Sequence, residues 1–227
     1  SPTVFTCPEG SPASAVGAAL AAIGLTGPRP VLILVGGAAN LDPKVAVRLR
    51  PLLRDLVPVL DRLGAAVIDG GTDVGGMALM GEARQPGSGR FPLIGIAPRG
   101  RVAFPHPGTT TPEDSGPAPG LDPAPYRSAG QDRQEPRVAL DPHHSHFLLV
   151  PGERWGDESP WLMAAAERLA SGRATLMLVA GGGEIPRRDI LPRLRQASRI
   201  LALAGSGGTA DALVAWRRGE GPLPVDD

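Results

Sequence analysis

A series of six short apolar segments, each followed by a turn rich in glycine or proline, constrains this chain more than any other feature. Short, nearly unbroken apolar runs indicate strands that are buried on both faces, as in a parallel sheet. The runs cover residues 31–35, 65–68, 93–97, 147–150, 175–180 and 200–204. Because helical patterns separate them, the alternation predicts an α/β fold with a doubly wound, mainly parallel sheet of about six strands and helices on both faces.

Apolar residues recur at helical spacing between the predicted strands. The predicted helices cover residues 13–23, 45–63, 74–84, 159–171, 188–197 and 208–218. The second of them contains Pro51 and Pro58, and a proline inside a helix removes a hydrogen bond and clashes with the preceding turn. We therefore expect this helix to be kinked or divided into two pieces.

The length and charge of the chain exclude several classes of protein. A chain of 227 residues suits a single domain, here residues 1–227, that buries one core. The 23 Lys and Arg residues balance 23 Asp and Glu residues, so the molecule as a whole does not attract nucleic acid. The single cysteine, Cys7, excludes an internal disulfide or a cysteine metal cluster. No apolar run reaches the roughly 18 residues of a membrane span, and we expect a cytoplasmic protein.

Residues 101–137 combine many prolines and glycines with little apolar periodicity. A loop of this length inside a compact domain is usually functional or disordered. We expect a mobile excursion, and two interpretations of it stay open: an inert insertion, or a lid over a ligand.

The glycine turns at the ends of the predicted strands indicate an anion site. In a doubly wound sheet the ligand crevice lies outside the carboxyl ends of the strands, where these turns should gather. A glycine turn that leads into a helix presents backbone N–H groups and the positive end of the helix dipole, which suit phosphate. Residues 70–76 and 205–211 are the strongest examples, since each combines glycines with a Thr and an Asp.

Side chains near other strand ends complete the predicted site. The Arg99 guanidinium suits phosphate, and the Trp155 ring can stack on a purine or pack against the following helix. Among the clustered histidines at 143, 144 and 146, we expect His146 to lie at the rim of the crevice or to cap a neighbouring carbonyl, and we expect no metal or cofactor. The complete set of predicted ligand-binding residues is Gly36, Gly37, Ala38, Gly70, Gly71, Thr72, Arg99, His146, Trp155, Gly182, Gly205, Ser206, Gly207, Gly208, Thr209 and Asp211.

Two familiar nucleotide motifs do not fit. The spacing of Gly205, Gly207 and Ala210 matches the dinucleotide fingerprint in form. That motif needs a second strand with an acidic residue about 20 positions later, whereas a helix and a short tail follow here. A Gly-Lys-Ser/Thr triplet does not occur in the sequence, so a Walker A loop is excluded as well.

The order of the strand-end motifs resembles that of the SLOG superfamily, and more narrowly the LSDAT group, the prokaryotic relatives of the amino-terminal homology region of TRPM channels. The motifs are Leu-Ile-Leu-Val-Gly-Gly-Ala at 32–38, Asp-Gly-Gly-Thr-Asp-Val-Gly-Gly-Met at 69–77, Ile-Gly-Ile-Ala-Pro at 94–98, Leu-Asp-Pro-His-His-Ser-His-Phe at 140–147, Leu-Val-Ala-Gly-Gly-Gly at 178–183 and Ala-Gly-Ser-Gly-Gly-Thr-Ala-Asp at 204–211. The resemblance implies a Rossmann-like sheet that binds a nucleotide-derived ligand, of the ADP-ribose or cyclic ADP-ribose class. It also implies a sensor, whose occupancy a homo-oligomer or a separate effector protein would read.

The same superfamily implies an alternative, a LOG-like phosphoribohydrolase or N-glycosidase that acts on a nucleotide. Such an enzyme needs a carboxylate near the anomeric carbon, and the candidates are Asp73, Glu82 and Asp211. The last turn departs from the enzyme motif, because no proline precedes it and its acidic residue does not lie three positions after Thr209. A sensor is therefore favoured over an enzyme.

Overall fold

The computed structural model describes residues 1–37, 41–85, 87–103, 137–195 and 199–224. In chain order the elements are β1 (Thr3–Thr6), α1 (Pro12–Ala22), β2 (Val31–Gly36), α2 (Pro43–Leu63), β3 (Ala66–Asp69), α3 (Gly75–Arg84), β4 (Leu93–Pro98), β5 (Val102–Ala103), β6 (Val138–Ala139), β7 (His146–Val150), α4 (Ser159–Ala170), β8 (Thr175–Ala180), α5 (Glu184–Arg195), β9 (Arg199–Ala202) and α6 (Gly208–Arg218).

Seven of these strands form one sheet in the order β1-β7-β4-β3-β2-β8-β9, and every neighbouring pair is parallel. This arrangement confirms the predicted doubly wound α/β fold, and all six predicted strands are present. The additional strand is β1, which pairs with β7 at the edge of the sheet. Three of its four residues are exposed, so no apolar run marks it in the sequence.

Alternate residues of each central strand face two separate layers of helices. On β2, Ile33 packs into the core shared with α1, α4, α5 and α6, whereas Leu34 packs into the core shared with α2 and α3. Burial on both faces explains why the strands read as continuous apolar runs rather than as an alternating pattern.

The long helix α2 is continuous, so the alternative of two pieces is wrong. Pro51 and Pro58 both lie inside it and both are exposed. Seven residues separate them, which places them on one side of the helix. Because that side faces water, solvent can bind the carbonyl groups that lose their helical partners, and the buried face keeps its packing.

Helix α5 begins at Glu184, earlier than the predicted start at residue 188. Pro186 lies in its first turn, where a missing N–H removes no helical hydrogen bond. Glu184 is favourable beside the positive end of the helix dipole.

The predicted excursion at 101–137 begins and ends in short strands. Val102 pairs with Val138 and Ala103 pairs with Ala139, in parallel. Parallel strands need a crossover connection of a dozen or more residues, which the chain between them provides. The rest of that prediction falls on residues 104–136, which lie outside the described residues.

In the part of the chain that the structure describes, no helix has both the length and the apolar character that a bilayer span requires.

Candidate functional site

The sheet reverses its direction of growth between β2 and β8. From β2 the chain continues to β3 on one side, and from β8 it continues to β9 on the other. In open α/β sheets, ligands bind outside the carboxyl ends of the strands at such a switch point. The turns that follow β2 and β8 therefore occupy the position where the fold favours a ligand.

Glycine is required where the ends of β2 and β8 meet. A Cβ atom on Gly36 would lie 2.0 Å from the carbonyl oxygen of Ala180. The same oxygen accepts a hydrogen bond from the Gly37 N–H at 3.0 Å. The two turns are thus held at backbone contact, a spacing that no residue with a side chain permits.

A third turn, after β9, locks onto the turn after β8. A Cβ atom on Gly208 would lie 2.1 Å from the carbonyl oxygen of Gly182. The Thr209 N–H donates to that oxygen at 2.9 Å, and the Gly181 N–H donates to Ser206 Oγ at 2.8 Å. We call the three joined turns, residues 36–37, 181–183 and 205–209, the glycine cradle.

Several polar groups that the sequence assigned to a ligand instead hold the cradle together. The Asp211 carboxylate accepts the N–H groups of Gly205 at 2.6 Å and Gly207 at 3.0 Å. The Thr209 hydroxyl donates to the carbonyl of Gly183 at 2.9 Å. The Asp211 carboxylate therefore stabilises the turn before α6, and a ligand in the cradle must use other donors or displace this carboxylate.

The open side of the cradle is next to Gly183 and Gly207. Both residues are exposed, and a Cβ atom on either would have no neighbour within 4 Å. The guanidinium of Arg48 borders the same region: its Nη2 donates to the carbonyl of Ala204 at 3.4 Å, and its Nη1 would lie 3.0 Å from a Cβ atom on Gly205. Sequence reasoning missed Arg48, because it lies on α2, far along the chain from the glycine turns that it contacts.

The turn after β3 packs against the sheet. Gly71 has φ of +70°, and a Cβ atom there would lie 2.7 Å from the Cα atom of Gly95 on β4. Thr72 is buried, forms a bridge with Leu140, and its hydroxyl lies 3.5 Å from the sulfur of Met77. The predicted residues Gly70 and Gly71 therefore approach protein atoms closely.

A buried network of charged side chains holds this turn in place. His144 lies between two carboxylates, with its Nε2 2.8 Å from Asp69 Oδ1 and its Nδ1 2.7 Å from Asp141 Oδ2. Asp69 Oδ1 also accepts the Gly71 N–H at 2.7 Å. All three side chains are at most 1% exposed. The room for Asp141 depends on Gly81 of α3, since a Cβ atom there would lie 2.1 Å from Asp141 Oδ2.

The two carboxylates keep His144 charged at neutral pH. Burial alone lowers the pKa of His144, but the charge of Asp69 and the hydrogen bonds to Asp141 and Asp69 outweigh it and raise the pKa to about 9. Both ring N–H groups then donate, one to each carboxylate. We call these three side chains, Asp69, His144 and Asp141, the buried triad.

His146 is not at the rim of the crevice, and this prediction is corrected. It is the first residue of β7 and pairs with Thr3 and Ile94, so it lies at the amino-terminal edge of the sheet. Its Nδ1 is 2.8 Å from the hydroxyl of Ser145. Because His146 begins β7, it lies at the edge of the sheet opposite the cradle.

Arg99 and Trp155 follow β4 and β7 on the carboxyl side of the sheet, and each already has a partner. The Arg99 guanidinium forms an ion pair with Glu9. The Trp155 ring faces the guanidinium of Arg101 at 5.6 Å and is partly buried against the apolar cluster around Phe147. Trp155 therefore packs against residues of β4, β5 and β7 while part of its ring stays exposed.

The three candidate catalytic carboxylates lie in different surroundings. Glu82 faces α2, where it pairs with Arg50 at 2.9 Å, and Asp211 binds the turn that precedes α6. Asp73 is exposed beside the start of α3, and its pKa is raised by partial burial and by the charge of Asp141. Ala38, the remaining predicted residue, lies outside the described residues.

Two buried carboxyl groups escaped sequence reasoning. Burial raises the pKa of Glu158, at the start of α4, to about 7, and raises that of Asp189 on α5 to about 6. Glu158 accepts the Gly156 N–H at 2.7 Å. Neither residue belongs to a motif, and only tertiary packing shows that they are buried.

A metal site is not evident in the described ranges, since no group of three or more His, Cys, Asp or Glu side chains there could hold an ion.

A family model described as "SLOG in TRPM, prokaryote" (LSDAT_prok) matches residues 29–223. Among curated proteins, the transient receptor potential cation channel subfamily M member 2 of Rattus norvegicus is 29% identical over 216 residues, and that of Mus musculus is 28% identical. Each alignment covers 84% of this chain and 13% of the channel, so the chain spans about an eighth of these relatives. Among solved structures, the chain is similar to the X-ray structure of TM1055, a structural genomics target, with 19% sequence identity and a TM-score of 0.47. The superposition covers 81% of this chain and 78% of the TM1055 chain.

The substitution Gly36→Ala tests the contact that closes the cradle. The new methyl group would meet the Ala180 carbonyl oxygen at 2.0 Å, so we expect a loss of at least about 2 kcal/mol in the free energy of unfolding, measured with urea. Gly183→Ala is the matched control, because its methyl group would enter open space and should change stability by less than about 0.5 kcal/mol. Equal effects of the two substitutions would contradict the contact.

The buried triad predicts how stability depends on pH. The pKa of His144 is raised from 6.5 to about 9 on folding, so its stabilising contribution is complete below pH 6.5 and is lost as the pH rises through 9. We expect the free energy of unfolding of the native protein to fall over this window by on the order of 1–3 kcal/mol. His144→Asn should lower stability at pH 6.5 and remove this decline, whereas His146→Gln should retain it. A decline of the same size in His144→Asn would refute the assignment.

Proposed function

This chain belongs to the LSDAT family of prokaryotes, SLOG in TRPM, and from that premise we propose that it binds a nucleotide derivative of the ADP-ribose class at the glycine cradle. The observation that carries the proposal is the convergence of three separate glycine turns at the topological switch point of the sheet. Main-chain N–H groups at such a position suit the phosphates of a nucleotide.

Arg48 brings positive charge to the edge of the cradle. Its guanidinium contacts the turn after β9 and is exposed, so it can reach a phosphate oxygen in the open side of the cradle. A guanidinium presents donors in a planar fork that matches phosphate oxygens. In this proposal the diphosphate lies between Arg48 and the amides of Gly205 and Gly207, from which it displaces the Asp211 carboxylate.

The turns after β4 and β7 provide the purine end of the proposed site. Trp155 is held in place by Arg101 on one side and is partly exposed, which leaves part of its ring for a base. Arg99 can approach a ligand if its ion pair with Glu9 opens, and an exposed pair of this kind contributes little stability. Ligand binding would order these turns, and a second copy of the chain or a separate effector would read the change.

One observation supports the second candidate, a LOG-like phosphoribohydrolase. Asp73 is exposed beside the start of α3, and its pKa is raised. A carboxyl group that keeps its proton more readily suits a general acid, which would protonate the departing base. Glu82 and Asp211 are occupied by Arg50 and by the turn amides, so Asp73 is the residue on which this candidate rests.

Calorimetric titration with ADP-ribose, cyclic ADP-ribose, NAD and AMP tests the sensor proposal. We expect at least one of the diphosphate-containing ligands to bind, and Arg48→Gln to weaken its binding at least about tenfold, as the loss of one charge-assisted hydrogen bond predicts. Arg54→Gln, a substitution of an exposed arginine farther along α2, is the control and should leave binding unchanged. The proposal would be rejected if none of the four ligands binds, or if the two substitutions weaken binding equally.

The same ligands separate binding from catalysis. Incubation with NAD and AMP, followed by chromatography for free base, should show no product if the chain is a sensor. Release of base that Asp73→Asn abolishes would establish the enzyme instead.

A further inference from the structure

A second concave site lies at the amino-terminal edge of the sheet, opposite the glycine cradle. It has a volume of about 780 Å³ and lies between the end of α2 and the segments that lead into β3 and β4. This volume falls within the range of about 300–1,000 Å³ that is typical of small-molecule sites. Its polar side chains come from Arg29, Asp61, Arg62, Ser88 and Arg90.

The charge of this cavity is positive. Three arginines line it against one carboxylate, that of Asp61. Asp61 accepts the backbone N–H groups of Arg90 at 2.8 Å and Phe91 at 2.8 Å and keeps its negative charge, so the lining retains an excess of positive charge. The guanidinium groups of Arg62 and Arg90 are exposed to the cavity mouth and to solvent. The cavity therefore offers guanidinium donors, which match the oxygens of an anion.

Arg29 carries an unmet hydrogen-bonding requirement in this wall. Its Nη2 donates to the carbonyl of Thr26 at 3.3 Å, while its buried Nε has no partner in the part of the chain that the structure describes. This Nε is inaccessible to solvent, so Arg29 acts on an anion in the cavity through its positive charge.

Side-chain hydrogen bonds hold one segment of the cavity wall in place. Asp61 holds the segment that contains Arg90 and Phe91 from one side. Arg84 holds it from the other, with its Nε donating to the Phe91 carbonyl at 2.8 Å and its Nη1 to the His143 carbonyl at 3.1 Å. Because these contacts use backbone atoms of the segment, the guanidinium of Arg90 stays available. A preformed site loses less entropy when a ligand binds.

We propose that this amino-edge cavity binds a small multivalent phosphate anion, of the diphosphate class, independently of the glycine cradle. Burial, together with the positive charges of Arg84 and Arg29, lowers the pKa of neighbouring His146, which agrees with a positive potential at this edge. In the bound state Arg62 and Arg90 would bind the phosphate oxygens, and Arg29 would add its positive charge.

The probe for this site is inorganic pyrophosphate, titrated calorimetrically at low salt into the whole chain. We expect binding, and a loss of about a hundredfold in the double variant Arg62→Gln/Arg90→Gln, since each of the two charge-assisted contacts accounts for about a factor of ten. The backbone contacts of Asp61 remain in this variant, so its fold should be intact, as thermal unfolding can verify.

Two further variants make the outcome decisive. Arg217→Gln/Arg218→Gln removes the same charge from exposed positions at the end of α6 and should bind pyrophosphate as the native chain does. Because the cradle is itself proposed to hold a diphosphate, Arg48→Gln should weaken at most a separate cradle component of pyrophosphate binding and should retain the component that Arg62→Gln/Arg90→Gln loses. Loss in Arg48→Gln alone would place the anion in the cradle, and equal losses in both double variants would mean unspecific attraction. Either result, or no binding by the native chain, would overturn the proposal.

Discussion

The close approach of three backbone turns is the constraint on which the site depends. The carbonyl oxygen of Ala180 occupies the space that a side chain on Gly36 would need, and the carbonyl oxygen of Gly182 does the same for Gly208. Glycine at these positions lets neighbouring turns share hydrogen bonds across the switch point of the sheet. The close approach of the turns is therefore a property of the main chain, and the side chains of Ser206, Thr209 and Asp211 hold the turns together.

The buried triad gives the neighbouring turn a different kind of rigidity. Burial of an imidazolium between two carboxylates costs desolvation, which their mutual attraction and hydrogen bonds must offset. Loss of any one partner would leave uncompensated charge in the core. The triad joins β3, the segment before β7 and, through Gly81, the helix α3. A packed apolar cluster could fill the same space but would not fix the direction of the Gly71 N–H.

The sequence was sufficient for the architecture because burial on both sides of the sheet leaves a continuous apolar signal, as in residues 31–35. It was insufficient for β1, whose residues are largely exposed. It was also insufficient for the start of α5, because the proline in the first turn was read as a residue outside the helix. The cradle glycines could be found since they follow strand ends. The roles of Arg48 and His144 could not, because their partners are distant in the chain and only tertiary contacts reveal them.

The pairing of Val102 with Val138 and of Ala103 with Ala139 has an evolutionary consequence. This pairing holds the two ends of the intervening chain side by side, outside the seven-stranded sheet. The entropy of closing a loop grows only slowly with its length, so insertions and deletions between the clasped ends alter stability little. Segments can therefore be inserted or deleted at this position in evolution without a change in the register of the central strands.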